Sequence, residues 1–299
     1  HLKGSTEPVF FLLIDNFRYD QWKMIQPILQ EFFNIEEESS YYSILPTTTG
    51  YARNAIFSGL MPSEMERKHP QWWVSDENTP EGEEGLNNHE QDFLQKQLEM
   101  NHLNIKFSYN KILNTNQGKA LVDTFNNLLT NQLNVIVYNF VDMLSHARTD
   151  VQMIKELAPD EAAYRSITRS WFQHSPLLDF IRKVAEKKGR LILTTDHGMI
   201  RVQKPVKIIG YRETNTNLRY KHGKNLGFDD NHLMVCRKPE RIFLPKPHVS
   251  TSYVFTKEDY FFAYPNNYNQ YVNLYRDTFQ HGGVSLEEMI IPVIDMKAK

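Results

Sequence analysis

Three aspartates and three histidines stand where apolar runs of the chain stop. Asp15 closes FFLLID; Asp142 closes VIVYNFVD with His146 four residues on; Asp196 and His197 close LILTTDH; and His281 opens HGGVSLEEMIIP. A carboxylate at the end of a buried strand has to be paired or bound to a metal. Taken singly, an Asp after a strand reads as a helix cap or turn residue, and a lone His as a hydrogen-bonded loop side chain. Collected at four segment ends, the six residues suffice for two sites of mixed oxygen and nitrogen ligands. That mixture suits zinc, with manganese as the alternative.

A nucleophile is available in LPTTTGYARNAIFSG, where Thr47, Thr48 and Thr49 lie between a strand and a helix that Gly59 is placed to end. A helix N-terminus presents backbone N–H groups and positive dipole to a phosphate, so a threonine there can cap the helix and attack phosphorus. Arg53, one helical turn beyond Thr49, is positioned either to reach a phosphate oxygen or to be solvated. Between Arg201 and Lys224 the chain holds seven Lys or Arg against a single acid, Glu213, with Tyr211 and Tyr220 interleaved. Cationic side chains for further phosphates and rings for base stacking make Lys221 and His222 the candidate substrate contacts, the alternative being a basic surface loop. Ser285 and Glu288 form a capping box and read as structural.

Positioning such residues is the work of the elements before them. Val9–Ile14, the run NQLNVIVYNFVDM ending near Asp142, and Leu191–Thr195 are continuous apolar runs, the pattern of strands buried on both faces of a parallel sheet. Helical spacing follows the first of them in YDQWKMIQPILQEFF, where Pro27 should kink or shorten the helix, and recurs over Asp160–Lys188. SSYYSILP reads as a further strand, and VSTSYVFT and the closing HGGVSLEEMIIPVID are expected to return to the sheet. The alternation predicts an α/β fold with a mostly parallel sheet sandwiched by helices, whose ligands gather beyond the carboxyl ends of the strands. Residues from about 61 to 117 are polar and irregular, including SDENTPEGEEG with five carboxylates. They predict a surface insertion, and a second, cap-like one is expected over about 201–250.

Composition narrows the class. The chain has 299 residues, 40% hydrophobic and 12% aromatic, enough for a sizeable core, and a formal net charge of -2 gives no general attraction to nucleic acid or membrane. One cysteine, Cys236, leaves neither a disulfide nor a CxxC pair and fits a reducing, cytoplasmic setting. VFFLLI is too short to span a bilayer, so no membrane partner is expected. The chain opens HLKGSTEP without an initiator Met. Residues 1–7 read as a linker or tag remnant, and 8–299 as a domain excised from a longer protein.

LLIDNFRYD, LPTTTGYARNAIFSGL, VDMLSH, TTDHG and HGGVSLEEMIIP together resemble the alkaline phosphatase superfamily, specifically its PglZ-type domains, over nearly the whole chain. The set is similar to the output domain of PorX-type response regulators linked to type IX secretion, which implies an upstream receiver domain and a regulatory protein partner. The resemblance implies two zinc ions, one held by Asp142, His146 and His281 and the other by Asp15, Asp196, His197 and the nucleophile. Related phosphodiesterases place that nucleophile ten residues before the helix-ending Gly, which is Thr49 here, with Thr48 in reserve. It also implies a covalent phosphothreonine later attacked by water, hence a phosphodiesterase of nucleotide-like substrates. A sulfatase would need a Cys/Ser-x-Pro-x-Arg motif, which the Thr-rich stretch lacks. A phosphomutase on the same scaffold and a binding module with structural metals are the rival readings.

Overall fold

Strand β1 (Val9–Ile14) has no polar face to turn to solvent, so both of its faces must be covered. It runs between β4 (Leu133–Tyr138), buried along its whole length, and β5 (Arg190–Thr194), parallel to both. The computed structural model that shows this describes residues 2, 7–75, 85–144, 156–209, 215, 217–228 and 230–299. Strands β2 (Phe33–Tyr42) and β3 (Phe107–Ile112) form the two edges, and Ile290–Ala298 completes a six-stranded sheet in the order β2, 290–298, β5, β1, β4, β3. Only the 290–298 strand runs antiparallel to its neighbours. The protein is therefore an α/β fold built on a mostly parallel sheet flanked by helices.

Local chemistry accounts for the helices. Helix α1 (Tyr19–Leu29) buries Trp22, Ile25, Ile28 and Leu29 on one stripe and carries Pro27 in its last turn, where the missing N–H forgoes one bond back to the preceding turn. The helical pattern over 160–188 resolves into Glu161–His174 and Pro176–Glu186. The Asp160 carboxylate accepts from Ala163 N at 2.8 Å to start the first, and Pro176 occupies the opening turn of the second, where it has no N–H to lose.

These elements make one unit, from the segments up to Tyr42, His102–Gly198 and Ile290–Lys299; Ser43–Asn101 and Met199–Met289 make a second. The second unit holds two three-stranded sheets and a short two-stranded pair. It also holds helix α2 (Thr49–Ser58) and further helices at Pro62–Lys68, Glu90–Met100 and Tyr268–Tyr275. One of its cores gathers Tyr51, Tyr220, Cys236, Leu244, Tyr253 and Phe255. Among the described residues no helix is long and apolar enough to cross a membrane.

Three sequence expectations are corrected. The strand expected at SSYYSILP occupies 33–42 instead, because the antiparallel register with Ile290–Ala298 runs from Tyr42 back to Phe33. Its polar, acid-rich sequence is that of an exposed edge, which hides the strand signal. Within the stretch read as irregular, Phe107–Ile112 is a strand of the main sheet, paired in parallel with β4 from Leu133 to Tyr138; only Ile112 is fully buried, so no periodicity marks it. Thr251–Thr256 does not rejoin the main sheet but is the central strand of a small antiparallel sheet between Leu233–Cys236 and Tyr220–Lys224. Of the acid run SDENTPEGEEG, residues 76–84 lie outside the described residues, as do Tyr211 and Glu213.

Candidate active site

The carboxyl ends of β1 and β5 converge because the strands are adjacent and parallel, with Leu13 level with Thr194. Asp15 follows β1 directly, its N–H donating to Tyr138 O at 2.9 Å, and Asp196 and His197 follow β5. All three are at most 1% exposed, and one ligand atom from each lies within 4.8 Å of the others. The His197 Nε2 is 3.9 Å from both Asp15 Oδ1 and Asp196 Oδ2. Its other ring nitrogen, Nδ1, contacts Gly198 O at 3.1 Å, an acceptor only, so Nδ1 carries a proton and Nε2 is the nitrogen that faces the carboxylates and can serve as a ligand atom. Two carboxylates and an imidazole are a donor set for a divalent cation of the zinc or manganese kind, and the residues fit such a group.

A rigid shell holds these donors. Asp196 Oδ1 accepts from His197 N at 3.0 Å, Asn16 N at 3.3 Å and Thr195 Oγ1 at 3.3 Å. The Thr195 hydroxyl also accepts from Phe17 N at 3.0 Å, tying the segment after β1 to the segment after β5. Asn16 has a positive φ of 59°, a conformation that asparagine tolerates, and its side-chain amide donates to Asp142 Oδ1 at 3.1 Å. Asp142, half-buried four residues past the end of β4, thus joins the trio through Asn16, outside the tight three-residue cluster. His146 lies outside the described residues. Tyr41, on β2, donates its hydroxyl to Thr195 O at 2.9 Å. Desolvation at the hydroxyl end of a ring that is otherwise 36% exposed, with the Asp196 charge beside it, pushes that phenol above its ordinary range. Asn16, Thr195 and Tyr41 escaped the sequence reading, since nothing but adjacency to the aspartates marks the first two.

In the second unit the threonine run enters α2. Thr48 is the extended residue before the helix and makes no side-chain cap bond, and Thr49 is the first helical residue, so the expected capping hydroxyl is absent. Gly59 ends the helix in the left-handed conformation, φ 63°, as its position predicted. Arg53 is fully buried, and its Nε donates to Glu90 Oε1 at 2.5 Å, a carboxylate that Asn87 Nδ2 also reaches at 2.8 Å. The solvated alternative for Arg53 is therefore excluded, and Glu90 is a partner that no sequence spacing disclosed.

His281 is 7% exposed in the same unit, and its Nδ1 donates to Thr47 O at 3.2 Å, which leaves Nε2 as the nitrogen that could serve as a ligand atom. The two glycines after it are required by space. A Cβ on Gly282, whose φ is 119°, would meet Asn217 Oδ1 at 2.7 Å; one on Gly283 would meet Thr256 O at 2.7 Å and Arg219 Nη2 at 2.8 Å. Glu288 accepts from Gly283 N at 2.9 Å and from Ser285 Oγ at 2.7 Å, and pairs with the fully buried Arg219 at 2.6 Å. Ser285 Oγ in turn accepts from Glu288 N at 3.2 Å, so the expected capping residues are structural.

Lys221 and His222 sit on opposite faces of Tyr220–Lys224, and both are buried. The Lys221 ammonium donates to Asn215 O and lies 5.0 Å from the Tyr264 ring centre. The His222 ring stacks on Tyr253 at 4.8 Å. The basic, tyrosine-bearing stretch therefore builds core as well as surface.

With the sheet and its strand-end residues in place, the class is an alkaline-phosphatase-like α/β protein. The chain belongs to the PglZ family: the model of the BREX system PglZ alkaline phosphatase-like domain matches residues 1–296. Among solved structures the fold is similar to murine ectonucleotide pyrophosphatase/phosphodiesterase 5, with a TM-score of 0.64, 12% identity, and 96% of this chain and 88% of that chain covered. The human counterpart gives a TM-score of 0.64, 12% identity and coverages of 97% and 87%. An inactive variant of the murine protein in complex with AMP gives 0.62, 13% identity and coverages of 96% and 87%. No curated protein matches the sequence.

Proposed function

We propose that the chain is a metal-dependent phosphoesterase, a phosphodiesterase of nucleotide-like substrates that uses Thr49 as nucleophile and two zinc ions as cofactors. The observation that carries this reading is the buried trio Asp15, Asp196 and His197 at the carboxyl ends of adjacent parallel strands. Family membership supports hydrolytic chemistry, and the AMP complex of a structural neighbour supports a nucleotide-like substrate. Asp15, Asp196 and His197 would hold one cation, and Asp142, His146 and His281 the other. Bound there, a divalent cation supplies Lewis acidity and charge neutralisation at a phosphoryl group. The Thr49 oxygen would attack phosphorus while its proton passes to solvent, the bond to the leaving oxygen would break with that oxygen taking a proton from solvent, and water would then cleave the phosphothreonine ester to release the phosphate and regenerate the hydroxyl. Arg53, Lys221 and His222 are proposed substrate contacts.

The resemblance to PorX-type output domains supports a signalling role downstream of a receiver domain, with a regulatory protein partner, and the single cysteine supports a cytoplasmic setting. Hydrolysis of an aryl phosphodiester by the zinc-loaded protein, lost on chelation and restored by zinc, is the expected result. A zinc-loaded protein that cleaves no mono- or diester would contradict the proposal.

A further inference from the structure

The Thr47 hydroxyl is fully buried and makes two hydrogen bonds to the loop that carries His281. It donates to Gly283 O at 3.0 Å and accepts from Gly282 N at 3.0 Å, while the carbonyl of the same residue accepts from His281 Nδ1 at 3.2 Å. One residue thus fixes the backbone on the far side of His281 and the tautomer of its ring, and it stands two positions before Thr49. From the other direction Glu288 holds Gly283 N, and Arg219 holds Glu288. We propose that Thr47 is a positioning residue: its side chain locks the first residues of the threonine run to the His281 loop, so that the imidazole Nε2 and the Thr49 segment keep a fixed relation. The three threonines then divide their work, with the first serving as the lock and not as a spare nucleophile.

Both hydrogen bonds need a hydroxyl, which acts as donor and acceptor at once, and neither needs the methyl group. Thr47→Val keeps the shape and removes both bonds; Thr47→Ser keeps both. Partners that orient a metal-bound histidine typically change metal affinity by about 10–100-fold when removed. The inference rests on His281 being a metal ligand, as proposed above, so His281→Ala is measured beside the two threonine variants.

The test is competitive zinc titration of the intact chain against a chromophoric chelator, with circular dichroism and thermal unfolding on the same samples. Thr47→Val is expected to weaken, by about 10-fold, the same zinc step that His281→Ala removes, and Thr47→Ser to restore the wild-type titration. The inference is overturned if Thr47→Val titrates like the wild type while His281→Ala does not. If neither variant changes the titration, His281 is no ligand, and the proposed ligand set fails together with the lock. Should Thr47→Val fail to fold, Thr47→Ser and Thr47→Cys still decide. A sulfhydryl bonds weakly and should titrate between serine and wild type on one side and His281→Ala on the other, and equal titration of all three would contradict the lock.

Discussion

In the proposed mechanism Thr49 is the nucleophile, and its place in the fold lets catalysis be separated from helix capping. Thr48 precedes the helix and makes no side-chain cap bond, so replacing Thr49 by valine removes no cap and keeps the shape. Thr49→Val should lower hydrolysis of an aryl phosphodiester by orders of magnitude with zinc content unchanged, against the roughly fivefold effect that a cap worth ~1 kcal/mol could produce. Activity retained in Thr49→Val but lost in Thr48→Val would move the nucleophile by one residue. Arg53 invites a stability test, because it and Glu90 form a buried pair at 2.5 Å. Arg53→Ala leaves a buried carboxylate and should cost about 3–5 kcal/mol in denaturant unfolding. The double variant Arg53→Met, Glu90→Leu should recover most of that loss. Loss of hydrolysis persisting in the recovered protein would mark a substrate contact.

Asp15, Asp196 and His197 were legible from residue type and position as candidate ligands, together with Asp142, His146 and His281, since they end runs that had to be buried; their grouping into one set came only with the resemblance. Their supports were not legible. Asn16, Thr195 and Tyr41 are ordinary polar residues in sequence, and only the fold shows that Asn16 reaches both Asp196 and Asp142. Lys221 and His222 read as candidate substrate contacts in a basic lobe, and charge alone says nothing of their burial. The structure places one against Tyr264 and the other in a stack with Tyr253.

At the scale of elements, the buried strands announced themselves and the edges did not. β1, β4 and β5 are apolar because neighbours cover both faces, whereas β2 and β3 must remain polar where they meet water. A side effect is the cluster around Glu38 on β2, whose carboxylate accepts from Tyr19 Oη at 2.7 Å, Trp22 Nε1 at 3.1 Å and Gln26 Nε2 at 3.0 Å and pairs with Lys23 on α1. Partial burial pushes the Glu38 carboxyl up, but the Lys23, Tyr19 and Trp22 hydrogen bonds outweigh it and hold it below the usual carboxylate range. A depressed folded pKa contributes stability above the unfolded value and loses it as pH falls through the folded one. Glu38→Gln should therefore be less stable than the wild type near neutral pH, by about 1 kcal/mol or less for so solvent-screened a pair. The difference should vanish below the ordinary glutamate range, as thermal unfolding across pH would show. A gap that widens in acid would contradict the assignment.

On the scale of the whole molecule, the chain leaves the main sheet after Tyr42 and after Gly198 to build a second unit, and returns each time. Loss of apolar periodicity suggested insertions only over about 61–117 and 201–250, and it could not show that Ser43–Asn101 and Met199–Met289 form small sheets and a core of their own. A cation bound only by the folded trio must stabilise the fold by mass action. Zinc at about 100 times its dissociation constant should add about 2.7 kcal/mol, seen as a rise in melting temperature that a chelator reverses. The most direct test of the account is the zinc content of the purified protein beside that of His197→Ala, by elemental analysis after exhaustive dialysis. About two zinc ions per chain are expected in the wild type and about one in the variant. A wild-type protein that carries no transition metal and takes up no added zinc would contradict the reading of Asp15, Asp196 and His197 as a metal centre.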